Sequence, residues 1–404
     1  MRNGSVLTSG GRIVAAGPFP AIRRDCPAGV RLADHGQAAL FPALVNVHTH
    51  IELSALRGGI PFPQPGFREW IGLLLPLRAA MEPHCVDEGI RAGEAELFAG
   101  GTGLCGDVTN GEAIVQSSTF SRVPERQVFL ELLGFNLNSV AAAMPAQLRV
   151  ETLAEGHPQI FASREVSNSS TALVPHSVYS VSPAIITESK EWTRARGLPF
   201  SIHVAEHPEE IEFLRSGKGF CRELLEKLGR WDPRWRPPGN SPLMYLDSLG
   251  ALDFRTLLVH AVHMTESDWA LAAQKNCTVV FCPRSNRNLS SGRPCIEKAL
   301  SLGINCALAT DSLASNTDLN LFAEAGFTLD NHPSIDPERV IEMITVNPAR
   351  ALGRKGDYGS MEPGARSHIL AVKIQSGIDE SNLAEALIQS GKEGTWKWVS
   401  CAQS

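Results

Sequence analysis

Short apolar runs alternate along the chain with longer segments of mixed character, and this alternation predicts strands that alternate with helices. Continuous apolar runs such as 257–259 (LLV) and 278–281 (TVVF) are typical of strands that are buried on both faces. Predicted strands lie near 41–48, 103–108, 127–134, 171–175, 199–204, 256–261, 277–281 and 304–310. Amphipathic segments such as Val86–Ala99 and Ser267–Lys275 lie between them, and Pro208 suits the first turn of another helix. Eight alternations over about 300 residues predict an α/β fold, a (β/α)8 TIM barrel.

Both chain ends carry strand patterns of a different kind. A short strand flanked by turn glycines lies at 10–17, and the chain after residue 355 is rich in glycine before two further predicted strands, 369–374 and 395–399. We predict that the two ends pair into a small β-sandwich domain. The predicted boundaries are 1–38 for its N-terminal part, 39–354 for the barrel and 355–404 for its C-terminal part.

Composition and charge exclude several classes of protein. Apolar residues make up 43% of the chain and charged residues 20%, which is typical of a folded globular protein and not of a disordered one. The net charge of −6 disfavours nucleic acid or an anionic membrane as a partner, and the densest apolar run, 71–77, is too short to span a bilayer. Nine cysteines without a CxxC pair, and no apolar signal core at the N-terminus, predict the reducing cytoplasm.

Side chains that can bind a metal ion recur at the ends of the predicted barrel strands. His48 and His50 end the first strand, and residues two apart in an extended chain point to the same side. Such a pair alone is weak evidence, but His203 ends the fifth strand, His260 the sixth and Asp311 the eighth. Active sites of TIM barrels form at these strand ends, so we expect the five side chains to converge. The alternative, separate histidines that are each satisfied by local hydrogen bonds, is disfavoured by this recurrence.

Several motifs together resemble the amidohydrolase superfamily, and within it the branch of cytosine, guanine and adenosine-type deaminases. They are FPALVNVHTH (41–50), HVAE (203–206), VH (259–260), CPRSN (282–286), TDSLASN (310–316) and TVNPARALGRKGDYGSMEPG (345–364). The resemblance spans nearly the whole chain, and the combination of motifs is specific.

The resemblance implies a role for each matching residue. The implied ligands of one divalent metal ion are His48, His50, His203 and Asp311. His260 is implied to stand beside the water that the ion activates and, together with Asp311, to take its proton. Glu206 is implied to protonate a ring nitrogen of the substrate. For Glu206 considered alone, the alternative is a charge at a helix N-terminus.

The end of the fourth strand bears on the number of metal ions. Binuclear relatives carry a bridging carboxylate there, often a carbamylated lysine, whereas residues 173–180 (LVPHSVYS) contain neither Lys nor Glu. We therefore predict a single ion. Zinc is the predicted ion, because nitrogen and oxygen ligands with an open position suit it, and ferrous iron is the alternative.

Residues outside the metal set predict a nucleoside-like substrate. His176 lies in PHSVYSVSP, a segment similar to the one in which deaminases of adenosine analogues contact the purine. The segment 57–71, which contains Trp70, is similar to the lid that covers the nucleoside in those deaminases. Ser312 is predicted to contact the substrate as well, whereas Tyr179 is explained equally by core packing.

Arg78 departs from the family pattern, because the related deaminases carry near this position a glutamate that holds the ribose hydroxyls. A guanidinium can bind a carboxylate through two hydrogen bonds, which favours an adenosine analogue that bears an acid, such as aminodeoxyfutalosine. The alternative is that Arg78 is a solvated helix residue.

The predicted activity is metal-dependent hydrolytic deamination of an aminated heterocycle, an adenosine-like nucleoside, with release of ammonia. The same site leaves open the deamination of S-adenosylhomocysteine, methylthioadenosine or guanine, the hydrolysis of a cyclic amide and hydrolytic dechlorination. A catalytically silent barrel is the alternative outside enzymes, and the presence of all the implied catalytic residues disfavours it. The predicted partner is a small-molecule substrate, with no nucleic acid and no membrane, and homodimers are common among such barrels.

Two further features have mainly structural interpretations. The loop 229–242 (GRWDPRWRPPGNSP) is dense in Trp, Arg and Pro; we predict surface decoration, and a lid that contacts the substrate is the alternative. Cys282 and Cys306 lie on predicted barrel strands without an evident base beside them, so we predict packing residues and not nucleophiles.

Overall fold

The computed structural model describes residues 2–110, 124–144, 169–379 and 381–399. Its strands are β1 (Gly4–Ser9), β2 (Arg12–Pro18), β3 (Ala38–Pro42), β4 (Leu44–Thr49), β5 (Thr102–Thr109), β6 (Glu125–Leu132), β7 (Ser169–Pro175), β8 (Phe200–Val204), β9 (Thr256–His260), β10 (Thr278–Phe281), β11 (Asn305–Leu308), β12 (Ile369–Lys373) and β13 (Trp396–Trp398). Its helices are α1 (Phe19–Arg24), α2 (Phe67–Ala79), α3 (Pro83–Ala99), α4 (Val140–Ala143), α5 (Pro183–Arg196), α6 (Pro208–Ser216), α7 (Phe220–Lys227), α8 (Pro242–Ser248), α9 (Glu266–Gln274), α10 (Pro283–Asn288), α11 (Ile296–Ser301), α12 (Leu321–Asn331), α13 (Pro337–Met343), α14 (Val346–Ala351) and α15 (Leu383–Lys392), with a 3-10 segment at Ile51–Leu56.

The strands β4 to β11 form the predicted TIM barrel. They pair in parallel in chain order, as a sheet of β4 to β7 and a sheet of β8 to β11. Backbone hydrogen bonds join the sheets on both sides: the N–H of His203 donates to the carbonyl of His176 (2.9 Å), and that of Asp311 donates to the carbonyl of His48 (3.2 Å). Every residue of β4, β5, β8, β9 and β10 is buried, which explains their continuous apolar runs.

The predicted strand near 41–48 is in fact two strands in two different sheets. Pro42 ends β3, which pairs antiparallel with β12, whereas β4 belongs to the barrel. The N–H of Ala43 donates to the carbonyl of His368, and the next N–H, that of Leu44, donates to the carbonyl of Gly101. A single apolar run hides this change of sheet because both strands bury their side chains.

Both chain ends contribute to two small antiparallel sheets. One is the hairpin β1–β2, and the other has the strand order β13–β12–β3. Ile13 of β2 is buried against Ala365 and Ile369, with Val6 and Leu40 packed around them. Apolar contacts of this kind between the hairpin and the three-stranded sheet produce the predicted two-layer β arrangement.

The loop 229–242 packs onto α6 and its surroundings. Trp235 stacks on Phe213 with ring centres 4.7 Å apart, and Trp231 stacks on Phe135 at 5.7 Å. Two arginines of the loop form hydrogen bonds within the loop itself: Arg234 donates to the Asp232 carboxylate, and Arg236 donates to the carbonyl of Pro233. These contacts agree with a packing role. None of the helices among the described residues is both long enough and apolar enough to cross a membrane.

The 3-10 segment that follows β4 packs tightly on α3. A Cβ atom at Gly89 of α3 would lie 2.5 Å from the backbone nitrogen of Ala55 and 2.8 Å from its Cα. The N–H of Ile51 donates to the Asp107 carboxylate at 3.1 Å, which holds the other end of the segment. Glycine at position 89 therefore allows the close approach that places the segment after His50.

We expect Gly89→Ala to destabilise the protein by about 1–3 kcal/mol, because the added methyl group overlaps backbone atoms that cannot rotate away. The matched control is Gly72→Ala in α2, where a Cβ atom would meet nothing within 4 Å. Alanine there should leave the stability unchanged or raise it by up to about 1 kcal/mol, since alanine is the better helix former. Thermal unfolding of both variants checks this; equal melting temperatures would contradict the packing argument.

Candidate active site

The C-terminal ends of the barrel strands bring the five predicted metal-site residues together. Asp311 Oδ1 lies 3.8 Å from His48 Nε2 and 3.7 Å from His50 Nε2. The ring centre of His203 lies 4.9 Å from that of His48 and 5.4 Å from that of His260. Side chains that lie far apart in the sequence thus face one point at the mouth of the barrel.

Four residues around this point have a left-handed backbone, which is rare outside glycine. They are Ala205 (φ +51°), His260 (φ +72°), Ala261 (φ +53°) and Asp311 (φ +60°). Such conformations cost on the order of 1–3 kcal/mol each and cluster at functional sites, where the surrounding structure holds them. Here the N–H of Ala261 donates to the carbonyl of Val204 at 3.0 Å, which is one of the bonds that hold the turn.

The residues fit a divalent metal ion. His48 is fully buried, and neither of its ring nitrogens has a hydrogen-bond partner among the described residues. Burial lowers the pKa of His50 to about 3, despite the opposing effect of Asp311, so the ring is neutral and can bind a cation. His203 Nδ1 lies 2.9 Å from the carbonyl oxygen of His176, which leaves Nε2 for an ion. Three neutral imidazoles and one carboxylate form a donor set that zinc and ferrous iron both accept.

The Asp311 carboxylate is oriented by hydroxyl groups. Its Oδ2 accepts hydrogen bonds from Ser285 Oγ (2.6 Å) and Ser315 Oγ (2.9 Å). Burial raises the pKa of Asp311, but the neighbouring histidines and the Ser285 hydroxyl outweigh it, and the net pKa lies below the ordinary value. The carboxylate is therefore ionised, and Oδ1 is the oxygen that faces the histidines.

Glu206 and His260 lie beside the four predicted metal ligands. His260 Nε2 is 3.5 Å from Glu206 Oε1, and Nδ1 is 3.1 Å from the side-chain amide of Asn286. The Glu210 carboxylate accepts the N–H groups of Ala205 and Glu206 at 2.9 and 3.0 Å, which holds the turn after β8. Burial raises the pKa of Glu206 well above its ordinary value and lowers that of His260 to about 3. These shifts favour a protonated Glu206 carboxyl group, which can give a proton, and a neutral His260 imidazole beside it.

The other predicted substrate contacts lie at the same mouth. Trp70 Nε1 donates to the carbonyl of Ala314 at 2.8 Å, which ties α2 to the segment after Asp311. Ser312 is nearly fully buried, with its hydroxyl 3.2 Å from that of Ser315. His176 stands with its ring centre 4.8 Å from that of His203. The structure thus brings these side chains to the site and ties the Trp70 indole N–H to the protein itself.

Arg78 is one-third exposed and is paired with a carboxylate of the chain. Its Nη2 donates to Glu52 Oε1 at 2.5 Å, and the exposed fractions of the two side chains are 33% and 6%. Glu52 Oε2 accepts the N–H of Asn110 at 3.1 Å and the hydroxyl of Thr109. Sequence reasoning missed Glu52, although a carboxylate two residues after His50 was an available signal.

Glu131 is a second residue that sequence reasoning missed. It lies near the end of β6, and its Oε2 accepts a hydrogen bond from Asn110 Nδ2 at 2.9 Å. Its Oε1 lies 3.7 Å from His203 Nδ1. The available signal was a charged residue inside the apolar run 128–132 (VFLEL) at a strand end. Glu131, Asn110, Glu52 and Arg78 form a continuous polar network beside the metal-site residues, which we call the Arg78–Glu131 network.

The residues that were predicted to have packing roles are buried. Cys282 and Cys306 are fully buried, and burial raises the pKa of the Cys306 thiol to about 12, so neither is a ready nucleophile. Tyr179 is also buried, with its ring 5.8 Å from that of His176 and 5.9 Å from that of Phe67.

Comparison with known proteins agrees with this geometry. Residues 39–395 match the model of the amidohydrolase family. An aminodeoxyfutalosine deaminase from Deinococcus radiodurans is 29% identical, over 88% of this chain and 82% of that protein. A 5-methylthioadenosine/S-adenosylhomocysteine deaminase from Nitratidesulfovibrio vulgaris is also 29% identical, over 93% and 80%. The crystal structure of an adenosine deaminase from Xanthomonas campestris with bound zinc superposes with a TM-score of 0.76 at 26% identity, over 97% of this chain and 86% of that one. The chain belongs to the amidohydrolase family.

Proposed function

We propose that this protein is a metal-dependent hydrolytic deaminase of an adenosine-like nucleoside. The observation that carries the proposal is the convergence, at one barrel mouth, of a buried metal-binding set and the pair Glu206 and His260, whose facing atoms are 3.5 Å apart. The relatives named as deaminases of adenosine derivatives support the same reaction class. Since family members differ in substrate, the pair that handles protons points to the chemistry more strongly than the barrel does.

One divalent ion would be held by His48, His50, His203 and Asp311. When bound, such an ion lowers the pKa of water and supplies hydroxide as a nucleophile at neutral pH. Zinc suits these ligands, and the zinc-containing adenosine deaminase from X. campestris supports that choice over iron.

The residues of the chain then move the protons. Glu206 gives a proton to the ring nitrogen next to the amino-bearing carbon, which makes that carbon more electrophilic while the new C–O bond forms. His260 Nε2 and Asp311 Oδ1, which the serine hydroxyls leave free, receive the proton of the attacking water. That proton passes to the amino group as the C–N bond breaks and ammonia leaves, and the remaining hydroxyl proton returns to Glu206 as the C=O bond of the product forms.

The finer proposal concerns an acid on the substrate. Arg78 uses one N–H group of its guanidinium on Glu52, and no partner for the others is found among the described residues. Those N–H groups can therefore bind a carboxylate carried by the nucleoside, as in aminodeoxyfutalosine. The relatives from D. radiodurans and N. vulgaris are equally similar to this chain, so the specificity at Arg78 has to be measured.

The test is ammonia release from aminodeoxyfutalosine and S-adenosylhomocysteine, which carry a carboxylate, and from adenosine and methylthioadenosine, which do not. We expect the protein to release ammonia from the nucleosides that it turns over, with a higher kcat/KM for the acidic nucleosides than for the neutral ones. Arg78→Gln should lower kcat/KM for the acidic nucleosides by about 10- to 100-fold and for the neutral ones by less than about 3-fold, since a charged hydrogen bond is lost only with the former.

The double variant Arg78→Gln/Glu52→Gln is the control, because it removes the cation without leaving the Glu52 carboxylate unpaired. The same selective loss in the double variant would support the proposal. An equal loss for acidic and neutral nucleosides would contradict the role of Arg78, and the absence of ammonia from all four nucleosides would contradict deamination.

A further inference from the structure

The Glu131 carboxylate has an oxygen that nothing in the described part of the chain satisfies. The residue is 6% exposed and lies at the C-terminal end of β6, on the side of the barrel where the metal-site residues converge. Asn110 Nδ2 occupies Oε2 at 2.9 Å. Oε1 is buried and has no hydrogen-bond partner among the described residues.

His203 does not satisfy this oxygen. A neutral imidazole carries one N–H, and His203 Nδ1 lies 2.9 Å from the carbonyl oxygen of His176, against 3.7 Å from Glu131 Oε1. The shorter contact takes the hydrogen, and 3.7 Å is too long for a second bond. Nε2 of the same ring faces the metal-site residues. Glu131 Oε1 therefore needs a donor from outside the described chain.

The surroundings favour a neutral donor that belongs to a ligand. Buried acceptors are almost always paired, so an unpaired one beside the predicted metal-site residues indicates a bound group that completes it. His176, a predicted purine contact, belongs with Glu131 to a group whose metal-ligating atoms lie within 4.8 Å of one another. Arg78, the cation of the network, is already paired with Glu52, and the nucleoside proposed for this mouth carries hydroxyl groups on its sugar, so a hydroxyl group is the donor that the proposed function offers to Oε1.

We propose that Glu131 is a substrate-binding residue whose Oε1 accepts a hydrogen bond from a hydroxyl group on the sugar of the nucleoside. This inference rests on the proposed function. Glu131 holds the sugar, while Glu206, which follows β8 two strands further round the barrel, faces the heterocycle. Because Asn110 fixes Oε2, the orientation of Oε1 is set before the ligand arrives, so little ordering is needed on binding.

The experiment measures binding of purine riboside, which lacks the amino group and releases no ammonia, and of its 2′-deoxy and 3′-deoxy analogues. Calorimetry on the zinc-loaded wild-type protein should show that at least one deoxy analogue binds about 10- to 100-fold more weakly, which corresponds to one hydrogen bond to a charged group. This comparison removes the hydroxyl from the ligand and so does not depend on the folding of a variant.

Glu131→Gln should remove that difference. The glutamine oxygen would face Asn110 Nδ2, so its amide nitrogen would take the place of Oε1 and could not accept a hydrogen bond. Compared with the wild type, Glu131→Gln should bind purine riboside more weakly, whereas its affinity for the affected deoxy analogue should change by less than about twofold. The reason is that the deoxy analogue lacks the hydroxyl group with which Glu131 interacts, as in a double-mutant cycle. The matched control is Glu52→Gln. Glu52 belongs to the same network, but both of its oxygens already accept hydrogen bonds, so this variant should keep the difference in affinity between riboside and deoxyriboside.

Three outcomes would overturn the inference. The first is that the wild type binds purine riboside and both deoxy analogues equally tightly, or does not bind purine riboside at all. The second is loss of zinc from Glu131→Gln, which would show that Glu131 positions the metal ligand His203 and does not bind the sugar. Two metal ions per wild-type chain, falling to one in the variant, would show a second metal site. If the protein releases ammonia from adenosine but binds riboside and deoxyriboside equally, the proposed function stands and the sugar subsite is wrong. If it binds the riboside more tightly than a deoxyriboside but releases no ammonia, the subsite stands and the proposed deamination is wrong.

Discussion

The His48→Ala variant is expected to contain less than about a tenth of the wild-type metal and to lose about a thousandfold or more of its deaminase activity, because the nucleophile depends on the ion. His48 is fully buried and its two ring nitrogens lack hydrogen-bond partners among the described residues, so the ring has no evident purpose there except to bind a cation. Metal analysis by plasma mass spectrometry for zinc and iron, on the same samples that are assayed for ammonia, measures both effects.

The control for this variant is His84→Ala, which removes an exposed histidine at the start of α3. It should keep the metal and the activity of the wild type. Full metal content in His48→Ala would contradict the assigned ligand set. Native protein that is folded, free of metal and inactive would favour the catalytically silent barrel.

The Glu206→Gln variant is expected to keep its metal and to lose about 10²- to 10⁴-fold in kcat, which is the range for removing a positioned proton donor. Glutamine has nearly the same shape but cannot give a proton to the ring nitrogen. The change should fall on kcat more than on KM, because the proton is transferred in the transition state and not on binding. Steady-state kinetics of ammonia release, with metal content measured in parallel, gives this separation.

The matched control is Glu212→Gln, which changes an exposed glutamate on α6, the helix that follows Glu206. Its kinetics should equal those of the wild type. If Glu206→Gln lost metal together with activity, the residue would be a ligand or a support of one. If kcat were unchanged, another group would have to provide the proton.

The predicted metal-site residues stand out in the sequence because the position of each is specified locally. A strand buried on both faces reads as an apolar run, and the residue at its end lies at the barrel mouth whatever the details of packing. His203 and His260 end such runs, and the spacing of His48 and His50 alone places both on one side of an extended strand. The helix that begins at Pro208 was likewise predictable, since proline suits a first turn.

The partners of the site residues were not specified locally. Arg78 stands 26 positions from Glu52, and Glu131 reaches Asn110 from another strand, so only the register and tilt of the barrel strands bring these groups within hydrogen-bond distance. The sequence by itself determined the barrel and the residues at its strand ends, because periodicity and strand termini are local properties. Only the tertiary structure decided that Arg78 is paired with a carboxylate of the chain and that one oxygen of Glu131 has no hydrogen-bond partner among the described residues, because pairing depends on distances across strands that no local pattern records.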